Sequence, residues 1–340
     1  MPPLRPYDQL FPWPSSLAAF SRYLADQVVY FDRQLLAISK PWGVGIHRPQ
    51  ATITDKNGHL LQMAYHGSPR YCIREALEPL AALMGVKRLT LVKSCERFTS
   101  GIILLAADEP TAARAQRCLR RSAALSAPAM QYLCVTKGWP TIEGGQELTE
   151  RVGIKLLELD ELGDHKQPII VPAPQLTKSM RQRRKPQADG MIVKPVLCRL
   201  KTLNVNKSYG VALVELSTNI TKYSFIECYL ANKASFVLGD TRFSRQVQHI
   251  MGTPMSIKPT KMNYSQDIEP LADNILKRLG VKTNGQIPVL VHHHRLTLPY
   301  YFSKKGKQDL VIECPKLPDH FQWTLQRLAL NPPELTAGAN

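Results

Sequence analysis

The sequence contains no apolar run long enough to cross a membrane as a helix, which requires about 18 or more residues. It also contains no basic amphipathic segment with a clean apolar face, the pattern of helices that lie on membrane surfaces. We therefore expect no membrane partner for this chain.

The sequence contains few cysteines, and their spacing forms no recognisable motif. The seven cysteines are scattered along the chain and form no Cys-x-x-Cys pair, so neither a disulfide framework nor a structural zinc site is expected. Most of them stand among apolar neighbours, as reduced thiols of a protein core do. This usage indicates a reducing compartment or an organelle matrix.

Acidic residues are scarce relative to basic ones. The 340 residues include 44 Lys and Arg but only 27 Asp and Glu, which gives a formal net charge of +17. An excess of this size in a non-repetitive globular sequence indicates a polyanionic partner, and we expect nucleic acid. The length suits one large domain or two ordinary ones.

Strand-like and helix-like segments mix along the chain without a regular βαβ repeat, which predicts an α+β fold with a largely antiparallel sheet. The glycines and prolines between Gly144 and Pro174 predict a long irregular connection. The principal predicted strands are 28–31, 35–40, 130–136, 191–201, 210–216, 287–298 and 309–313, and the predicted helices are 73–84, 110–119, 222–231, 268–279 and 321–330.

The stretch Leu91–Leu105 reads as strand, tight loop, strand. Its loop offers a carboxylate (Glu96), a guanidinium (Arg97) and two hydroxyls (Thr99 and Ser100) at a strand junction. Reactive groups on a loop between rigid strands are a common way to build a site. From this stretch alone, a solvated hairpin with a Ser-Gly turn is the alternative.

Two further segments have competing interpretations. The run Tyr300–Phe302, beside Lys304, Lys305 and Lys307, pairs stacking groups with cations as single-stranded RNA binding requires, but an ordinary edge hairpin predicts the same pattern. In a strand, His292 and His294 share a face and His293 opposes them, so no metal site is predicted there.

Five short motifs follow one another along the chain. They are Lys40–Gly43 followed by His47, Lys93–Gly101, Gln131-Tyr132, Val214–Leu216 through Val237–Asp240, and His294–Leu296 with Pro299. In this order they resemble the motifs of the RluA-type pseudouridine synthases, and the resemblance covers roughly residues 28–330. The likeness is greatest to the degenerate mitochondrial branch of that family, associated with messenger and ribosomal RNA.

The resemblance implies a pseudouridine synthase fold, with a long mixed, mainly antiparallel sheet, flanking helices and a central RNA cleft. It implies conversion of a flipped-out uridine to pseudouridine in mitochondrial mRNA or rRNA, without cofactor or metal. The expected location is the mitochondrial matrix, with protein partners in RNA granules or ribosome assembly.

The implied domain organisation has three parts. A pseudouridine synthase-like catalytic domain covers residues 28–330 and includes a basic mobile loop at 176–190. An extension at 1–27 precedes it, for which the remnant of a mitochondrial leader is one interpretation, and a tail at 331–340 follows.

The resemblance also implies roles for individual residues. Glu96 occupies the position of the catalytic aspartate, Tyr132 that of the tyrosine over the base, and Glu227 that of the arginine that pairs with the aspartate. The expected RNA-binding residues are Lys40, Lys93, Arg97, Thr99, Ser100, Lys222, Arg181, Arg183, Arg184 and Lys185.

The substitutions at 96 and 227 leave two functions open. Glutamate adds one methylene to the aspartate side chain, and two facing carboxylates either share a proton or swing apart. Lys222 and Arg97 are the candidates for a replacement cation. The chain is thus interpreted either as a synthase with an altered active site or as a non-catalytic RNA-binding protein that supports RNA folding or ribosome assembly.

Overall fold

The computed structural model describes residues 6–11, 13–48, 70–125, 127–140, 147–158, 166–173, 191–262, 271–303 and 308–331, without the side chains at 123 and 191–195. The predicted basic loop at 176–190, with Arg181, Arg183, Arg184 and Lys185, lies outside these ranges, as do residues 332–340 of the predicted tail. No helix within the described ranges is long and apolar enough to span a membrane.

The described residues form a large sheet, a small hairpin and six α-helices. The helices are α1 (Leu17–Ala25), α2 (Ile73–Leu83), α3 (Glu109–Ala124), α4 (Phe225–Asn232), α5 (Asp273–Leu279) and α6 (Asp319–Arg327). The strands are β1 (Val28–Phe31), β2 (Leu35–Lys40), β3 (Thr90–Lys93), β4 (Ser100–Ala106), β5 (Met130–Lys137), β6 (Leu148–Glu158), β7 (Lys166–Pro172), β8 (Met191–Asn206), β9 (Val211–Thr218), β10 (Phe236–Val237), β11 (Val247–Ile250), β12 (Thr253–Ser256), β13 (Val291–Ser303) and β14 (Gln308–Glu313).

The large sheet has twelve strands, and its main path runs β1-β2-β4-β13-β5-β9-β8-β6-β7. β3 pairs with β4, β10 with β5 and β14 with β13, while β11 and β12 form the separate hairpin. Neighbouring strands are antiparallel except β4 and β13, which run parallel. The prediction of an α+β fold with a mixed, mainly antiparallel sheet is confirmed.

Side chains of the central strands alternate between two core layers, as the period of a strand requires. Tyr132 and Cys134 of β5 face one buried cluster, and Leu133 and Val135 face another. Helix α3 covers the first layer and α6 the second, so both sides of the sheet are buried at its centre.

The parallel contact between β4 and β13 depends on Gly101. It pairs with His293 at a φ of 108°, and a Cβ atom at this position would lie 2.2 Å from the His293 carbonyl oxygen. Only glycine fits here, because the backbone conformation is unfavourable for other residues and the space is filled by backbone.

The predicted irregular connection after residue 144 is wrong, because β6 and β7 form an antiparallel pair within it. In β6, Val152, Ile154 and Leu156 bury one face by strict alternation. The prolines of β7 are tolerated because β7 ends the main path of the sheet and exposes one edge. The strand period of this segment therefore outweighs its breaker residues.

The N-terminal segment packs into the body of the domain, so the boundary expected at residue 28 does not coincide with a break in packing. Tyr7 is buried and its hydroxyl lies 2.8 Å from Thr324 Oγ1 in α6. Phe20 and Leu24 of α1 are also buried, against the side of the sheet covered by α2.

Replacing Gly101 with alanine is expected to destabilise the protein by about 3 kcal/mol or more. The left-handed backbone contributes about 1–2 kcal/mol and overpacking against β13 about 1–3 kcal/mol. Gly85→Ala is the matched control, because Gly85 also has a positive φ (67°) but no atom lies within 4 Å of the place that a Cβ atom would take there. Urea unfolding midpoints measure both changes, and equal midpoints would contradict the steric argument.

Candidate active site

A cavity of about 250 Å³ opens where three loops meet beside the β4–β13 contact. Its lining comprises residues 96–99 of the β3–β4 loop, Ser224 and Glu227 at the start of α4, residues 240–243 after β10, and Val289 before β13. The segments are distant in sequence and are brought together by the sheet. We treat this cavity as the candidate active site.

Glu96 is held in place by Ser224. Its Oε1 accepts a hydrogen bond from the Ser224 backbone N–H at 2.9 Å, and its Oε2 accepts one from Ser224 Oγ at 3.2 Å. Burial raises the pKa of Glu96, opposed by these hydrogen bonds and by the positive charges of Arg242 and Lys93. The carboxyl group is therefore oriented and has cations nearby.

The backbone at Ser224 has an unusual conformation that serves this contact. Tyr223 and Ser224 both adopt positive φ, at 65° and 48°, so α4 begins at Phe225 and not at the predicted residue 222. Such conformations cost about 1–3 kcal/mol each and persist where the surroundings impose them. Here the turn directs both donors of Ser224 at Glu96.

Glu227 is buried in α4 and lines the same cavity as Glu96, so the structure brings the two carboxyl groups together as the resemblance implied. Burial raises the pKa of Glu227 well above its ordinary value, and the negative charges of Glu96 and Asp240 raise it further. Asp240 is thus a third carboxyl group of the site. It belongs to one of the motifs of the resemblance, but no role was predicted for it from the sequence.

Asp240 stabilises the loop that follows β10. Its Oδ1 accepts hydrogen bonds from the backbone N–H groups of Arg242 at 2.9 Å and Phe243 at 3.2 Å. Burial raises the Asp240 pKa to about 6, against the lowering effect of these bonds and of Arg242. The loop conformation directs Arg242 towards the cavity.

Arg242 is the site residue that sequence reasoning missed. Its guanidinium donates to the Lys166 carbonyl at 3.2 Å and to Gln167 Oε1 at 3.3 Å, both in β7, and its Cζ lies 5.1 Å from the centre of the Phe243 ring. Its positive charge lowers the pKa values of Glu96, Glu227 and Asp240. The sequence signal that could have identified it is its position, two residues after the Gly239-Asp240 pair of the motif.

Tyr132, which the resemblance places over the base, lies near Glu96 and Glu227 but is covered by other side chains. The side chain is fully buried, its ring stacks on His293 with centres 4.6 Å apart, and its hydroxyl donates to Met130 Sδ at 3.4 Å. Burial raises its pKa well above the ordinary value, with the negative charges of Cys95 and Glu96 adding to the effect. Tyr132 packs beneath the site and presents no exposed face to a base.

Lys40 and Ser100 were predicted to bind RNA, but the structure buries both side chains, so neither can contact RNA directly. The Lys40 ammonium is fully buried and donates to the carbonyl oxygens of Pro41 (3.2 Å), Val44 (2.8 Å) and Arg97 (3.1 Å). Ser100 is also fully buried, with its hydroxyl 3.0 Å from His292 Nδ1. Lys40 anchors the loop that carries Glu96, and Ser100 joins β4 to β13.

The remaining predicted RNA-binding residues in the described ranges lie at or near the cavity. Arg97 and the buried Thr99 line it, and Arg97 Nε donates to the Gly43 carbonyl at 3.0 Å. Lys93 Nζ lies 3.5 Å from Thr221 Oγ1, and burial lowers the Lys93 pKa. Lys222 is exposed next to this pair. Lys222 and Arg97 were predicted as replacement cations, but the guanidinium that acts on all three carboxyl groups is that of Arg242.

The three consecutive histidines of β13 have separate partners. Besides the Ser100 contact of His292, His293 Nδ1 lies 2.7 Å from the Ile102 carbonyl oxygen and His294 Nε2 lies 3.4 Å from Glu215 Oε2. Among the residues that the structure describes, no group of three or more histidine, cysteine or acidic side chains is arranged to hold a metal.

Comparison with known proteins identifies relatives that cover most of the chain. It is 26% identical over 292 residues to human "Mitochondrial mRNA pseudouridine synthase RPUSD3", spanning 83% of this chain and 77% of that protein. It is 25% identical over 328 residues to zebrafish "Pseudouridylate synthase RPUSD4, mitochondrial", spanning 92% of this chain and 76% of that protein. No protein-family model matches.

A solved structure supports the same relationship at the level of fold. The structure of "Human RNA Pseudouridylate Synthase Domain Containing 4" matches with a TM-score of 0.60 and 20% identity, covering 93% of this chain and 98% of that one. The chain is therefore similar over most of its length to the mitochondrial RPUSD3 and RPUSD4 pseudouridine synthases, and it shares the fold of an RNA pseudouridylate synthase domain protein.

Proposed function

We propose that this protein is a pseudouridine synthase that acts on messenger or ribosomal RNA in the mitochondrial matrix, with Glu96 as the carboxylate directed at the ribose of a flipped uridine. The observation that carries the proposal is the Glu96 carboxyl group, oriented by two hydrogen bonds from Ser224 on the wall of an open cavity. The mitochondrial relatives and the excess of basic residues support RNA as the substrate.

The site contains three carboxyl groups and the guanidinium of Arg242, so its protonation decides whether it can react. Glu96 and Asp240 each accept hydrogen bonds that favour their ionised forms. Glu227 is buried and faces two negative neighbours. In our proposal Glu227 holds the shared proton, which leaves Glu96 ionised beside Arg242.

Arg242 then performs the electrostatic task that the resemblance assigned to an arginine at position 227. Its bonds to β7 fix the guanidinium at the wall of the cavity, so little reorganisation is needed when charge develops on the ribose or on Glu96. The extra methylene of Glu96 is accommodated because Ser224, at the unusual start of α4, holds both carboxylate oxygens.

A second candidate function is RNA binding without turnover. The specific observation in its favour is Tyr132, whose ring is covered by His293 and the surrounding core and so offers no surface to a base. Such a protein would use the same cavity to hold a nucleotide during RNA folding or ribosome assembly. The two functions differ in whether the Glu96 side chain is needed for pseudouridine to form.

Pseudouridine mapping of organellar RNA distinguishes them. Cells without the protein are expected to lose specific pseudouridines, which the unmodified protein restores and Glu96→Ala does not, because the carboxylate at the ribose is missing. Restoration by Glu96→Ala would establish the non-catalytic function. An unchanged map without the protein would reject the synthase proposal.

Arg242→Gln is expected to reduce the single-turnover rate by about 100-fold, the loss typical when one pre-organised charge is removed from an active site. Without this cation the Glu96 pKa rises further, so the acidic limb of the rate profile should move to higher pH. Arg242→Lys should recover part of the rate and most of the pH shift. An unchanged profile in Arg242→Gln would contradict the assignment.

Glu227→Gln is expected to stabilise the protein at neutral and alkaline pH. The folded pKa of Glu227 is raised, so its favourable contribution is complete below the unfolded value of about 4.3 and is lost as pH rises towards the folded pKa. The slope is at most about 1.4 kcal/mol per pH unit for one proton.

Urea unfolding of both proteins between acidic and mildly alkaline pH measures this effect. The difference between them cancels the contributions of the buried histidines and cysteines, which both proteins share. The advantage of Glu227→Gln should grow with pH. A constant difference would show that Glu227 is ionised in the folded protein.

A further inference from the structure

We propose that one side of α3, together with the end of β13, binds a single-stranded tract of RNA outside the reacting nucleotide. This inference rests on the proposed function, since it assigns a second contact surface to the same RNA. We call the surface the arginine–aromatic patch, and it consists of Arg114, Arg117, Arg120, Arg121, Tyr300 and Phe302.

The arginines share one side of α3, because their spacing of three, three and one residues places them within about one third of the helix circumference. The opposite side is turned to the core through Ala115 and Cys118. Arg117 and Arg120 are exposed. None of the four arginines forms an ion pair with any acidic residue in the described ranges.

Two acidic side chains near the patch, Asp108 and Asp309, accept hydrogen bonds from backbone N–H groups and form no ion pair with the four arginines. Asp108 Oδ1 accepts from the Thr111 N–H at 2.7 Å at the start of α3. Asp309 Oδ1 accepts from the Tyr300 N–H at 2.8 Å and supports the bulge in β13. The hydrogen bond from Thr111 and, to a smaller extent, the charge of Arg114 lower the pKa of Asp108, while Arg117 and Arg120 are exposed to solvent.

The aromatic residues make the surface suitable for unpaired bases. Arg121 Cζ lies 5.2 Å from the centre of the Tyr300 ring, and Arg114 Cζ lies 5.4 Å from that of the buried Tyr301. Phe302 is 53% exposed. Arginines bind phosphates and an exposed ring stacks on a base, a combination that requires bases out of a duplex.

The patch lies at the far end of the strands that form the cavity. β4 and β13 run parallel, the cavity adjoins their first residues, and Tyr300 follows Val291 by nine residues of strand, or about 30 Å at about 3.3 Å each. RNA held here is therefore a separate part of the strand from the nucleotide in the cavity. Loss of the patch should weaken binding without slowing the chemical step.

The test compares Arg117→Gln/Arg120→Gln with the matched control Lys277→Gln/Lys282→Gln, which removes the same charge from exposed positions in and after α5. Binding of a labelled single-stranded RNA oligonucleotide is measured against salt concentration. Two lost phosphate contacts should lower the salt slope by about 1.4 and the affinity by about 10-fold, while the control changes it less than about 2-fold.

Phe302→Ala provides a second, uncharged variant. It should weaken binding of the single strand by about 5-fold or more and leave the same strand annealed to its complement unaffected, because only unpaired bases stack. At saturating RNA the single-turnover rate of both variants should equal that of the unmodified protein.

The outcomes separate this inference from the function on which it rests. If the unmodified protein binds no RNA, the proposed function fails. If the unmodified protein binds RNA, the patch variants are compared with it and with the control variant. Patch variants that bind RNA as tightly as the unmodified protein, or that lose no more affinity than the control variant, would overturn the patch assignment alone. Unchanged RNA binding together with loss of an acidic protein partner would also overturn it and identify a protein interface instead.

Discussion

The close approach of β4 and β13 at Gly101 is the constraint on which the site depends. Ser100 and His292 are 192 positions apart in sequence, yet they pair there because no side chain separates the two backbones. This contact sets the loop that carries Glu96 beside Val289 and the loop after β10. A bulkier residue at 101 would part the walls of the cavity as well as the sheet.

Two cations near that contact, Lys40 and Arg242, have different roles. The Lys40 ammonium satisfies three backbone carbonyls and so fixes the loop of Glu96 from below, a structural use of a buried cation. Arg242 approaches the carboxyl groups from the other wall, fixed by β7. Arg242 is therefore held by the β6–β7 pair, which the prolines and glycines of this segment make hard to predict from the sequence. For that reason the motifs alone do not indicate a cation beside the carboxyl groups.

Local patterns predicted most of the fold. The hairpin of β1 and β2, the strands flanking Glu96, and helices α2 and α6 follow from apolar periodicity and turn residues that tertiary contacts do not override. The start of α4 was misplaced because Tyr223 and Ser224 adopt positive φ to reach Glu96. No local rule reveals a backbone strain imposed by a residue 128 positions away.

The sequence by itself determined the α+β class, the basic character and the resemblance to pseudouridine synthases, because composition, strand period and motif order are properties of the chain alone. Only the tertiary structure decided that Lys40 and Ser100 are internal, that Tyr132 is covered, and that Arg242 faces the carboxyl groups. Burial and electrostatic neighbours are set by which distant segments the sheet brings together, and a motif records residue types without recording what surrounds them.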